Sequence, residues 1–265
     1  MSKRGKSKPK PMENHQRAWV WGRRAVLEIL RAGRWPMLEL RLDERLPPEE
    51  IRIARQFARE LSTPVRSEPA QRLFELCHAR DHQGYLARMA QFEYETLDSL
   101  IARAARRARA APLIAVLDSI QDPYNFGAIL RSAEAFGVDG IVIGERGQAD
   151  VNSLVARSSA GAVNHLPIAR VDRLAAALER LKAEGYALIA ASEKAEQACD
   201  RVDFRRPAAL VLGNEGEGIA PGLLTLCGER ARIPQSGTIG SLNVAAAAAV
   251  LFYEARRQRG ATGSK

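Results

Sequence analysis

In the second half of the chain, short apolar runs alternate with segments whose apolar residues recur every three to four positions. LIAVLDSI, GIVIG, YALIAAS and AALVLGN are almost free of polar interruption, the pattern of strands buried on both faces. Between them NFGAILRSAEAFG, VNSLVARSS and LAAALERLKAEG carry helical spacing. NHLPIARV reads as extended, PGLLTLCG as a short helix and RARIP as a last strand. This alternation predicts an α/β fold, a mostly parallel sheet covered by helices on both sides. The final helix, with its alanine run, is a strong helix former suited to close packing.

The first third uses shorter elements. Trp19–Trp21 is extended, Arg23–Arg31 is helical with Val26, Leu27 and Leu30 on one face, and Met37–Leu42 is a strand. A helix at Pro48–Leu61 places Ile53, Phe57 and Leu61 four apart and turns Arg52, Arg55 and Arg59 to the other side. Pro64–Arg66 and Tyr85–Met89 read as strands around a helix at Ala70–Cys77. The whole is a smaller N-terminal α/β domain. Its arginine row fits a solvated helix face before it fits an RNA contact. The tryptophans and tyrosines near the N-terminus read as core rather than base-stacking platforms.

These patterns divide the chain into a basic disordered tail (1–16), an α/β domain (17–90), a linker (91–112), a larger domain (113–259) and a short tail (260–265). The linker contains a helix-favouring piece with Arg103, Arg106, Arg107 and Arg109, closed by Pro112.

Charge sharpens this division. The chain carries a formal +9, but residues 111–255 hold 13 basic and 17 acidic side chains. The positive charge therefore sits in the first 110 residues and the C-terminal tail, where it fits a polyanion partner. Three widely spaced cysteines, Cys77, Cys199 and Cys227, include no C-x-x-C pair. They suit a reducing, cytoplasmic compartment. Neither a secretory leader nor a membrane span is expected. Cys77, His78 and His82 do not amount to a four-ligand metal site, so no metal is expected.

Three segments carry residues that a plain scaffold does not need. In DSIQDPYNFGAILRSAEAFG (118–137), Asn125 stands where a helix cap can stand. Arg131 is either an ordinary surface arginine or a holder of phosphate. LVLGNEGEGI (210–219) leads a strand into glycines 213, 216 and 218 around Asn214 and Glu215. Their order is neither the dinucleotide fingerprint nor a phosphate loop. Glu215 can alternatively cap a helix around Pro221. IPQSGTIGSLN (233–243) puts small and polar residues before the alanine helix, although a strand-to-helix connection needs only about 2–6 residues. Ser241 and Asn243 can cap that helix. Strands ending near Gly213 and Ile233 are expected side by side, so that their loops share one pocket.

In this order, the three segments resemble the SpoU (TrmH) family of RNA ribose 2′-O-methyltransferases of the SPOUT superfamily, over roughly 111–258. GRRAVLEIL and HQGYLARM resemble the RNA-binding domain of its RlmB-like branch, with Tyr85 where a small aliphatic residue is expected. The resemblance implies a trefoil-knotted sheet and a homodimer paired through the knot region. It implies S-adenosylmethionine as cofactor, contacted around Gly213, Asn214, Ile233 and Leu242. Asn125, Arg131, Glu215, Ser241 and Asn243 would form the catalytic group. The RlmB-like branch implies a guanosine of 23S ribosomal RNA as target, with a transfer-RNA ribose as runner-up. A non-catalytic RNA-binding protein on this scaffold and an α/β enzyme using a nucleotide cofactor are the rival readings.

Overall fold

A computed structural model describes residues 18–107, 111–238 and 240–260. The expected N-terminal tail, Arg109 and residues 261–265 lie outside the described residues, as does the side chain of Arg107. The chain forms two compact units. The first contains residues up to Glu93 together with Val151–His165, and the second contains Tyr94–Asp150 and the chain from Leu166 onward.

In the first unit, β1 (Trp19–Trp21), α1 (Arg23–Ala32), β2 (Met37–Asp43), α2 (Pro48–Glu60), β3 (Val65–Glu68), α3 (Ala70–Cys77) and β4 (Tyr85–Met89) follow one another. Their sheet has the order β1-β4-β2-β3. β4 runs antiparallel to β1 and β2, and β3 is parallel to β2. Trp19, Trp35 and Tyr85 are buried, as their apolar bodies require. The Tyr85 hydroxyl donates to Glu50 at 2.8 Å, and Arg23 holds the same carboxylate at 2.8 Å. Tyr85 therefore stands in a polar bridge between β4 and α2, which explains how the larger side chain is accepted after His82-Gln83-Gly84. The stripe expected on α2 is displaced by one position. Ala54 and Ala58 are fully buried, Ile53 and Phe57 half-buried, and Leu61 exposed. Close approach to α1 favours the small residues there.

The second unit begins with α4 (Leu97–Arg107), β5 (Leu113–Asp118), α5 (Pro123–Ala135) and β6 (Gly140–Gly144). The short helix α6 (Ser153–Ser158) follows in sequence but clusters with the first unit, although the apolar pattern placed it in the larger domain. There it packs on β1, with Arg157 lying over the Trp21 ring at 4.2 Å and ion-paired with Asp81. The second unit resumes with β7 (Ile168–Val171), α7 (Leu174–Ala183), β8 (Ala187–Ala191), β9 (Ala208–Gly213), α8 (Pro221–Leu224), β10 (Glu229–Ala231) and α9 (Val244–Gly260).

Its six strands are parallel in the order β10-β8-β9-β5-β6-β7. Alternate strand residues, among them Ile114, Val116, Val142, Ala190 and Val211, pack with Leu100, Leu178, Leu181 and Leu223 from α4, α7 and α8. Against the opposite side, α5 packs on α9 and α9 meets β9. The region read as a linker is thus corrected. Leu100, Ile101 and Ala104 of α4 are core residues, because Leu97, Leu100, Ile101 and Ala104 keep helical spacing beneath the arginines. Among the described residues, no helix is long and apolar enough to cross a membrane.

Candidate functional site

The site lies in the second unit, at the carboxyl ends of its parallel strands, where open α/β sheets place ligands. β9 and β10 are not neighbours as expected, because β8 lies between them. Their following loops nevertheless converge on one cavity of 420 Å³, within the usual range for a small-molecule site. Its apolar lining comes from Ala191, Leu212, Ala231, Ile233, Val244 and Leu251. Its polar lining includes Ser192, Gln235, Ser241 and Asn243. Glu193, Glu215 and Glu217 oppose one cation, Lys194, on that lining. A flat apolar ring joined to a cationic group suits this distribution.

The loop after β9 holds its shape through hydrogen bonds within itself. Asn214 Oδ1 accepts from the amides of Gly216 and Glu217, both at 2.8 Å. The Gly218 amide donates to the Asn214 carbonyl at 3.1 Å. This fold-back brings Gly218 so near Gly213 that a Cβ on Gly213 would stand 2.1 Å from the Gly218 carbonyl carbon. Only glycine fits there. From the other side, the Asp118 carboxylate at the end of β5 accepts from the Ala220 amide at 2.8 Å.

Three of the expected catalytic residues meet. Asn125 donates to the Glu215 carboxylate, and Asn243 Nδ2 donates to Asn125 Oδ1 at 3.1 Å. Asn125 is free for this because it is not the helix cap. Asp122 caps α5, accepting from the amides of Tyr124 and Asn125 at 3.0 and 3.3 Å, with Pro123 at the first helical position. Glu215 does not cap α8, whose cap residue is Ala220. Asn243 does cap its helix, with Oδ1 accepting from Ala245 and Ala246 at 3.0 and 3.3 Å. One amide thus fixes the start of α9 with its oxygen and Asn125 with its nitrogen. The other expected residues are placed differently. Ser241 and Leu242 line the cavity, as do Gly213, Asn214 and Ile233. Arg131 is exposed on α5, does not line the cavity and makes no ion pair among the described residues. Ser192, Glu193 and Lys194 were missed. Their signal was their place directly after β8 (Ala187–Ala191), a strand already legible as YALIAAS.

Residues 112–253 match the SpoU rRNA methylase family, and residues 19–95 match the substrate-binding domain of RNA 2′-O ribose methyltransferases. The chain belongs to the SpoU family. Among its relatives, the Bacillus subtilis protein YacO, assigned to the TrmH family of tRNA/rRNA methyltransferases, is 33% identical over 94% of this chain and 99% of its own. A Synechocystis tRNA/rRNA methyltransferase is 38% identical over 95% of this chain, which spans 66% of that protein's length. The SpoU methyltransferase AviRb of Streptomyces viridochromogenes, solved with S-adenosylmethionine, aligns with a TM-score of 0.76 at 28% identity, over 92% of this chain and 90% of its own. In this SpoU chain, the cavity and the Asn125–Glu215–Asn243 cluster both fall inside the matched methylase segment.

Proposed function

We propose that this SpoU protein methylates the 2′-oxygen of a ribose in RNA, at a guanosine of 23S ribosomal RNA, with S-adenosylmethionine as donor. The observation that carries this is the joining of Asn125, Glu215 and Asn243, from three distant segments, beside a cavity with an apolar lining and a carboxylate-rich polar lining. The residues fit the cofactor. Leu212, Ala231, Ile233 and Val244 offer an apolar seat for its base, and the glutamates offer counter-charge for its cationic part. Gly213, Asn214, Ile233 and Leu242 would hold it. The bound cofactor supplies an electrophilic methyl group on a sulfonium that departs as a neutral thioether.

The chain's own task is alignment of the ribose hydroxyl, which removes entropy from the barrier. Ser241 and the tethered amides of Asn125 and Asn243 position the hydroxyl. Glu215 holds Asn125 in its orientation. Arg131, which does not line the cavity, is assigned to the RNA phosphate, since a guanidinium holds its proton too tightly to act as a base. A phosphate oxygen or water takes the proton. Arg131→Lys keeps the charge and is expected to retain measurable transfer. Complete loss, with RNA and cofactor still bound, overturns this role.

The trefoil threading and the homodimer are part of the same proposal. They draw support from the long 233–243 segment and from exposed Tyr124, Leu242, Val250 and Tyr253. A cytoplasmic site of action accords with a ribosomal RNA target. Mapping 2′-O-methyl groups in RNA from a deletion strain tests the whole. One missing mark on a 23S guanosine is expected. A missing mark in transfer RNA overturns the ribosomal assignment, and an unchanged map overturns the activity.

A further inference from the structure

Several exposed arginines of the first unit face a carboxylate. Arg23 pairs with Glu50, Arg31 with Glu28, Arg45 with Asp43 and Arg72 with Glu75. The outer column of α2 is different. Arg52, Arg55 and Arg59 are three and four residues apart, so they stand one above another on the helix surface, spanning about 10 Å. All three are exposed. Arg52 is paired with Glu49. Among the described residues Arg55 faces no carboxylate, and it donates instead to the Ser67 hydroxyl on β3 at 3.0 Å. The Arg59 side chain makes no ion pair or hydrogen bond among the described residues. Arg66, next to Ser67 in β3, points to the opposite face of the sheet, where Glu39 lies 3.7 Å away. Glu60 is the one other exposed acid on this part of α2.

Like charges at this spacing disfavour a helix, and nothing in the packing of α2 uses them, since its buried contacts are Ala54 and Ala58. β3 is the edge of its sheet, so its outer backbone amides also face outward. We infer that Arg55 and Arg59, on the outer face of α2 beside the edge strand β3, form a docking surface for the RNA phosphate backbone. This rests on the RNA reading above and adds where the first unit grips. The Ser67 hydroxyl holds Arg55 over the strand edge, and the column follows successive phosphates of one strand. No exposed aromatic residue interrupts the column, so it supplies affinity without reading bases.

The test uses the full chain and large-subunit ribosomal RNA transcribed in vitro, with filter binding from low to moderate salt. Arg55→Gln/Arg59→Gln keeps helix-favouring side chains, and Arg72→Gln on α3 is the control for net charge. The double variant is expected to lose about tenfold or more in affinity, and its log–log salt slope is expected to fall by about one per arginine removed. Cofactor binding by calorimetry should be unchanged. Affinity within twofold of the unaltered protein, or an equal loss in the Arg72 control, overturns the surface while leaving the RNA reading intact. No binding by the unaltered protein overturns that reading and the surface with it.

Discussion

Asn243 shows how much one side chain can settle. Its oxygen caps α9 while its nitrogen holds Asn125. Asn243→Asp keeps the cap, and its charge suits a helix N-terminus, but it has no N–H to give Asn125. Stability by urea unfolding is expected within about 0.5 kcal/mol of the parent, while methyl transfer falls at least tenfold. A stable variant with full transfer would show that the amide serves the helix alone. The three motif segments were legible from composition, because a connection needing one glycine carries several together with Asn214 and Glu215. The role of Asn125 was less so. Asp122-Pro123 just upstream is the stronger start signal, a cap followed by proline at the first helical position, and it frees Asn125 for the site. The Asn125–Glu215–Asn243 junction joins positions 90 and 118 residues apart, a distance over which local pattern says nothing.

Helices and strands tell a similar story at their own scale. The strands from Leu113 onward could be read from their unbroken apolar runs, yet their neighbours could not. Parallel strands are joined by crossovers, and the placement of β8 between β9 and β10 is a tertiary choice. The arginines of α4 disguised an apolar stripe, so a core helix read as a linker. Leu100→Ala, fully buried in that stripe, is expected to cost about 2–5 kcal/mol in denaturant unfolding; a true linker residue would cost almost nothing. In the first unit, burial first and then the hydrogen bond to Glu50 push the Tyr85 hydroxyl up to about 12. The neutral phenol is thus favoured in the folded chain. Its stabilising contribution is complete below the unfolded value near 10 and is lost as pH rises from there through 12. Tyr85→Phe should lower stability at neutral pH and flatten the alkaline part of a melting-temperature profile. An unchanged alkaline slope would remove Tyr85 as its cause.

For the molecule as a whole, the sign of the charge in each half was readable early, because it depends only on counting. The grouping of the units was not. Val151–His165 lies between two strands of the second unit and yet belongs with the first, where Glu28 meets His165 at 3.3 Å and α6 lies on β1. A fragment ending at residue 93 is therefore expected to leave the Trp21 face uncovered. It should melt earlier, and bind more apolar dye, than the same fragment fused to 151–165. Equal melting would show that the returning segment is dispensable. No single cut in the gene separates one unit from the other. Anyone grafting a foreign recognition module onto this methylase, by the laboratory or by recombination, must exchange two stretches of coding sequence at once, and this ties the inheritance of the two halves together.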